Sequence, residues 1–119
     1  MISELGPDEV FVFGSNADGW HAGGAARTAL ERFGAVWGEG HGHHGRSYAI
    51  DTMSGLGVLA EEVAAFVDYA RAHPELRFLL TPVGTGIAGY APEEVAPLFV
   101  DAPDNVVLPP EFVEALAAE

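Results

Sequence analysis

A glycine-punctuated segment near the start of the chain has residue types and spacing that could do chemistry. The apolar run at residues 10–13 leads directly into residues 14–24, which hold four glycines, and a helix-compatible stretch follows from Ala25. A strand that turns through glycines into a helix exposes backbone N–H groups at the positive end of the helix dipole. Phosphate is the usual ligand of such N–H groups, so the pattern predicts a phosphate site.

A second segment of the same kind lies later in the chain. The apolar run at residues 78–83 precedes residues 84–90, Gly-Thr-Gly-Ile-Ala-Gly-Tyr, and a helix start at residues 91–94. Its glycines also fit G-x-G-x-x-G, a pattern that is weak evidence by itself. Loops that follow parallel strands emerge at the carboxyl edge of a sheet, so the two loops would face one ligand if their strands are neighbours.

Composition limits the classes of protein that the chain can belong to. Its 119 residues fit one domain, 1–119. The absence of cysteine excludes disulfides, thiolate zinc sites and cysteine nucleophiles, and suits a reducing compartment. With no leader-like N-terminus and no apolar run of membrane-spanning length, we expect a cytoplasmic protein that does not enter a membrane.

The charge balance is strongly acidic. The formal net charge is −13, with five basic residues, all of them arginine. Such a chain repels nucleic-acid backbones, so general nucleic-acid binding is not expected. One phosphorylated small molecule remains compatible with this charge, because backbone amides act locally while the net charge is screened over about 10 Å. No cofactor is predicted, and the oligomeric state is left open.

Hydrophobic periodicity predicts alternating strands and helices. The expected strands are residues 10–13, 47–50, 78–83 and 105–108. The expected helices are residues 26–33, residues 59–72 with two glutamates in the first turn, a short helix from Pro92 cut by Pro97, and residues 111–118. This order predicts an α/β domain, a three-layer α/β/α sandwich with a mostly parallel central sheet.

Both glycine loops resemble a known family over residues 10–99. The first, with Asn16 and the Gly23-Gly24-Ala25-Ala26 end, looks like the strand-Asn-glycine-loop-helix unit of macro domains, which bind ADP-ribose, and the compact bacterial and phage group is most similar. The second is similar to the family's diphosphate loop. The resemblance implies that ADP-ribose or an ADP-ribosyl nucleotide is bound by Gly14, Ser15, Asn16, Gly23, Gly24, Asp51, Gly84, Thr85, Gly86, Ile87, Ala88, Gly89 and Tyr90.

Hydrolysis of an ADP-ribosyl or O-acyl-ADP-ribose linkage is the activity that the resemblance suggests. The hydrolytic branch of the family has an aspartate in the glycine loop where this chain has Gly23, which leaves Asn16, Asp18 and His21 as candidate catalytic residues. Two alternatives remain open. One is a non-catalytic sensor of a nucleotide signal, and the other is a phosphoribohydrolase-like enzyme, although its Pro-Gly-Gly-x-Gly-Thr segment is missing.

Several polar residues also have a purely structural interpretation. Asn16 could form a turn, Asp51 is expected to cap one, and Tyr90 could close the core instead of stacking on a ligand. Because His41, His43 and His44 occupy a glycine-flanked stretch ahead of a strand, we expect a solvated loop toward the opposite edge and no metal site. The alternative left open is that this loop folds over and one histidine acts as a general acid or base. The acidic pairs Glu61-Glu62 and Glu93-Glu94 are expected at solvated helix N-termini.

Overall fold

The computed structural model describes residues 4–118. The strands in this range are β1 (Glu9–Ser15), β2 (Gly42–His44), β3 (Ser47–Asp51), β4 (Arg77–Leu80) and β5 (Val106–Val107). The helices are α1 (Gly24–Arg32), α2 (Leu56–Ala72), α3 (Pro92–Val95), which continues into a 3₁₀ helix (Ala96–Phe99), and α4 (Pro110–Ala117). No helix among these residues is long and apolar enough to cross a membrane.

The sheet has the order β2-β3-β1-β4-β5 and is mostly parallel. Strand β1 runs parallel to both β3 and β4, and β4 runs parallel to β5. The predicted α/β class with a mostly parallel sheet is therefore confirmed. The chain leaves β1 toward β3 but leaves β4 in the other direction toward β5, so the outgoing connections diverge between β1 and β4. Such a switch point opens a crevice outside the carboxyl ends of the two strands.

Strand β2 is a correction to the expected solvated loop at residues 41–45. It pairs antiparallel with β3, with His44 opposite Ser47, so Gly45 and Arg46 form a two-residue hairpin turn. Gly45 has φ of 59°, and a Cβ atom there would lie 2.9 Å from the Cα atom of Gly34. The tight turn thus depends on a glycine that the left-handed conformation and the close backbone both require.

The two faces of the sheet carry separate clusters of buried side chains. Alternate residues of β1 point to opposite faces, because the side-chain period of a strand is two. Phe11 and Phe13 pack with α1 on one face. Val10 and Val12 pack on the other face with α2, the 3₁₀ helix and α4. Helix α2 buries the five residues that its periodicity predicts, which are Leu59, Val63, Phe66, Val67 and Ala70.

Element ends differ from the sequence predictions by up to three residues. Helix α2 begins at Leu56, after Gly55 with φ of 99°, so its first turn holds no acidic residue and the expected position of Glu61 and Glu62 was wrong. Strand β4 ends at Leu80 instead of residue 83, because Pro82 has no N–H to continue the pairing. The short helix at Pro92 and the ending of α1 before Gly34, at φ of 78°, are confirmed.

Candidate functional site

The two glycine loops meet at the carboxyl edge of neighbouring strands. Val12 of β1 pairs with Leu80 of β4, and just beyond them the Thr81 hydroxyl donates a 2.8 Å hydrogen bond to the Val12 carbonyl. A Cβ atom on Gly14 would lie 3.1 Å from Thr52 Cγ2 and 3.7 Å from the Gly84 nitrogen. The first residues of the two loops are therefore in contact, and the loops border the crevice at the switch point.

The loop at residues 84–90 is held by its own hydrogen bonds. The Thr85 hydroxyl donates to the Pro82 carbonyl at 2.7 Å, and the Tyr90 N–H donates to the Gly84 carbonyl at 2.9 Å. The Gly89 N–H donates to the carbonyl of Gly86 at 3.0 Å. These bonds do not use the N–H groups of Gly86, Ile87 and Ala88. Ile87 is 94% exposed and a Cβ atom on Gly86 would meet open space, so a ligand can reach this stretch.

Helix α1 presents a second open backbone segment. Its N-cap is Gly23, which has no side chain to cap the first turn, and Cβ atoms on Gly23 or Gly24 would have no neighbour within 4 Å. Helix α3 differs, because the Glu94 carboxylate accepts the Ala91 N–H at 2.9 Å and so occupies that helix start. Glu94 is thus a capping residue, and anion binding is left to α1 and the 84–90 loop.

The Asn16 side chain is engaged within its own loop. Its Oδ1 accepts the Trp20 N–H at 2.9 Å, and its Nδ2 donates to the Trp20 carbonyl at 3.1 Å. The turn-forming interpretation of Asn16 is therefore confirmed. One N–H and one lone pair of the amide lie outside these two bonds.

Ser15 and His21 form a buried pair beneath the same loop. The Nε2–H of His21 donates to the Val36 carbonyl at 2.9 Å, so Nδ1 accepts from the Ser15 hydroxyl at 3.2 Å. The His21 ring is 1% exposed and stands edge-on to Phe13. Both ring nitrogens thus serve loop packing, and of the three candidate catalytic residues only Asp18 is well exposed.

Asp51 caps a turn, as expected. Its two carboxylate oxygens accept the Met53 N–H at 3.0 Å and the Ser54 hydroxyl at 2.6 Å. The Asp51 N–H in turn donates to Glu62 Oε1 at 3.0 Å. With 7% of its surface exposed, Asp51 is buried at the carboxyl end of β3 beside Ser15.

Glu62 and His41 form a pair that sequence reasoning missed. The antiparallel course of β2 returns His41 to the carboxyl end of β3, where its Nδ1 lies 3.9 Å from Glu62 Oε2. The expected placement of this histidine at the opposite edge and of Glu62 as a solvated helix start was wrong. The two-residue turn at Gly45 was the sequence signal that could have revealed the hairpin. His43 instead bonds the Tyr69 hydroxyl on α2.

Two expectations concerned the aromatic and metal chemistry of the site. Tyr90 packs against the core, with its Cδ2 3.4 Å from the place where a Gly84 Cβ would lie, as the core-closing interpretation holds. Residues 4–118 contain no group of three or more histidine, aspartate or glutamate side chains placed to hold a metal ion.

An apolar groove adjoins the two loops on the α1 side of the sheet. Helix α1 covers β1 and β3 there, whereas the groove lies over β4 and β5 and has a volume of about 720 Å³. Its walls include Leu79, Val107 and Leu108 from the strands, and Ala25 and Pro82 from the loop ends. This volume lies in the range of small-molecule sites, roughly 300–1,000 Å³.

Charge at the crevice comes from the backbone. Asp18 is the only formally charged residue in residues 14–24 and 84–90. Arg27, in the first turns of α1, pairs with Glu31 at 3.3 Å. An anion at this edge would therefore be held by N–H groups and the dipole of α1.

Comparison of the chain with protein-family models, with curated proteins and with solved structures finds no match in any of the three.

Proposed function

We propose that the chain is a three-layer α/β/α protein of the macro-domain type that binds ADP-ribose or a related ADP-ribosyl nucleotide. The contact between the two glycine loops at the switch point of the sheet carries this proposal. Open α/β sheets bind nucleotides in the crevice between two adjacent parallel strands whose outgoing connections run in opposite directions. The loop sequences that resemble the family border this crevice.

Each part of the ligand has a partner of matching chemistry. The diphosphate accepts hydrogen bonds from the N–H groups of Gly86, Ile87 and Ala88 and from the N-terminus of α1, because this edge has backbone donors in place of basic side chains. The adenosine half enters the apolar groove beside Ala25 and Pro82. The distal ribose lies toward Asn16, whose amide retains one N–H and one lone pair for a hydroxyl.

Hydrolysis of an ADP-ribosyl linkage is the second candidate, favoured by the His41 and Glu62 pair. A carboxylate beside an imidazole at the carboxyl edge can accept a proton from an attacking water. The buried His21 has no such freedom, since both of its nitrogens are engaged. His41→Ala should slow such hydrolysis, whereas Glu61→Gln, an exposed neighbour of Glu62, should leave it nearly unchanged.

Calorimetric titration with ADP-ribose, AMP and NAD tests the binding proposal directly. We expect saturable binding of ADP-ribose and a rise in melting temperature at millimolar ligand, because a ligand of the native state stabilises it by linkage. AMP should bind more weakly since it lacks the second phosphate and the distal ribose. No heat and no thermal shift with any of the three would contradict the proposal. Recovery of an ADP-ribosylated substrate intact after incubation would contradict the hydrolysis proposal and would leave the binding proposal unchanged.

A further inference from the structure

Both tryptophans of the chain are exposed on one pair of loops. Trp20 is 61% exposed and Trp37 is 53% exposed, and Val36 beside them is 47% exposed. Tryptophan carries more apolar surface than other side chains, and its burial is correspondingly favourable. Neither side chain is used to close the core, so their exposure on neighbouring loops marks an interaction surface.

The two loops interlock through glycine and backbone. The Gly38 N–H donates to the Gly19 carbonyl at 2.9 Å, which places the tryptophans one residue from each end of this bond. A Cβ atom on Gly19 would overlap the backbone at Glu39, and one on Gly40 would overlap the Asn16 carbonyl. Because only glycine allows this approach, the positions of Trp20 and Trp37 are fixed relative to each other.

The polar residues of the loops hold the tryptophans in place. Asn16 bonds both backbone groups of Trp20, and His21 bonds the carbonyl of Val36, next to Trp37. The Trp37 ring also stands edge-on to the buried His21 ring, with centroids 6.4 Å apart. A surface ordered before binding loses little conformational entropy when a partner docks.

Charge around the tryptophans is acidic. Asp18 and Glu39 are exposed on the same two loops, and residues 14–24 and 34–40 contain no lysine or arginine. The face of an indole attracts cations, and the two carboxylates add to this attraction while repelling phosphates. A second copy of the chain, at −13, would be repelled as well.

We propose that this tryptophan patch, formed by Trp20, Val36, Trp37, Asp18 and Glu39, docks a basic, arginine-containing segment of a partner protein. Arginine fits because its planar guanidinium stacks on indole while donating hydrogen bonds to carboxylates. Tryptophan and arginine are also the residues that dominate binding energy at protein interfaces. The proposal goes beyond nucleotide binding and does not depend on it.

Tryptophan fluorescence tests the patch selectively, because both tryptophans of the chain belong to it. The probe is the peptide acetyl-(Arg-Gly)₃-amide, titrated at low salt, with acetyl-(Lys-Gly)₃-amide and acetyl-(Glu-Gly)₃-amide for comparison. We expect a saturable change in emission with the arginine peptide, a weaker response to lysine and none to glutamate. Calorimetry then measures Trp20→Ala and Trp37→Ala, each expected to weaken binding at least about fivefold, as truncated aromatic anchors do.

A matched pair of double variants separates the patch from general attraction to an acidic protein. Asp18→Asn with Glu39→Gln should weaken binding of the arginine peptide about fivefold or more. Asp101→Asn with Glu114→Gln, two exposed residues outside both proposed sites, removes the same charge and should change binding less than about twofold. Equal loss in both double variants would overturn the proposal. The proposal would also be overturned if the arginine peptide produced no change in tryptophan emission, or if AMP competed with the peptide for the patch. ADP-ribose titrated into the same samples reports separately on the nucleotide site.

Discussion

Replacing Gly86 by glutamate places a carboxylate where the diphosphate is proposed to bind. Gly86 is exposed, its φ lies outside the left-handed region, and a Cβ atom there meets nothing within 4 Å. The substitution therefore fits without strain, and we expect stability to change by no more than about 0.5 kcal/mol. At about 5 Å from a phosphate charge and an effective dielectric constant of about 20, the new carboxylate costs about 3 kcal/mol. This corresponds to roughly 150-fold in Kd at low salt.

Calorimetric titration of ADP-ribose at low and high salt measures this effect, and circular dichroism checks the fold of the variant. Ala72→Glu is the control, because Ala72 is exposed in the last turn of α2, at the end of the sheet opposite the two glycine loops. The loss at Gly86 should shrink at high salt through screening, and the control should bind like the wild type. A folded Gly86→Glu protein that binds ADP-ribose within about threefold of the wild type would refute the placement of the diphosphate.

Two further predictions concern stability. Burial, reinforced by Glu62 and Tyr69, raises the pKa of Tyr48 to about 12. The pKa of this tyrosine in the unfolded chain is about 10. The raised pKa should therefore contribute roughly 2–3 kcal/mol to the free energy of unfolding, a contribution that is present below pH 10 and lost as the pH rises toward 12. Denaturant titrations between pH 10 and 12 should show this decrease for the wild type and not for Tyr48→Phe. The same pH dependence of the free energy of unfolding in both proteins would contradict the prediction. Gly40→Ala should cost about 1–3 kcal/mol in thermal unfolding, because a Cβ atom there overlaps the Asn16 carbonyl. Gly57→Ala on α2, where a Cβ atom meets nothing within 4 Å, should show no loss of stability.

Local sequence patterns predicted which helices and strands form better than they predicted where these elements end or how the strands pair. The buried stripe of α2 and the apolar runs of β1 and β4 were read from periodicity, because burial on one face or on both is visible in the order of residues. The ends were displaced where backbone conformation decides, as at Gly55 before α2. Strand β2 was missed because three residues without an apolar alternation carry no strand pattern; their pairing with β3 orders them.

The sequence by itself determined the α/β alternation, the two glycine loops and a crevice edge without basic side chains, since these follow from the order and identity of neighbouring residues. Only the tertiary structure decided that β1 and β4 are adjacent, so that both loops border one crevice. It also decided that His21 bonds a carbonyl fifteen positions away and is buried, while Trp20 and Trp37 are exposed. The reason is physical: hydrogen-bond partners and burial between distant segments depend on long-range packing, which local periodicity does not encode.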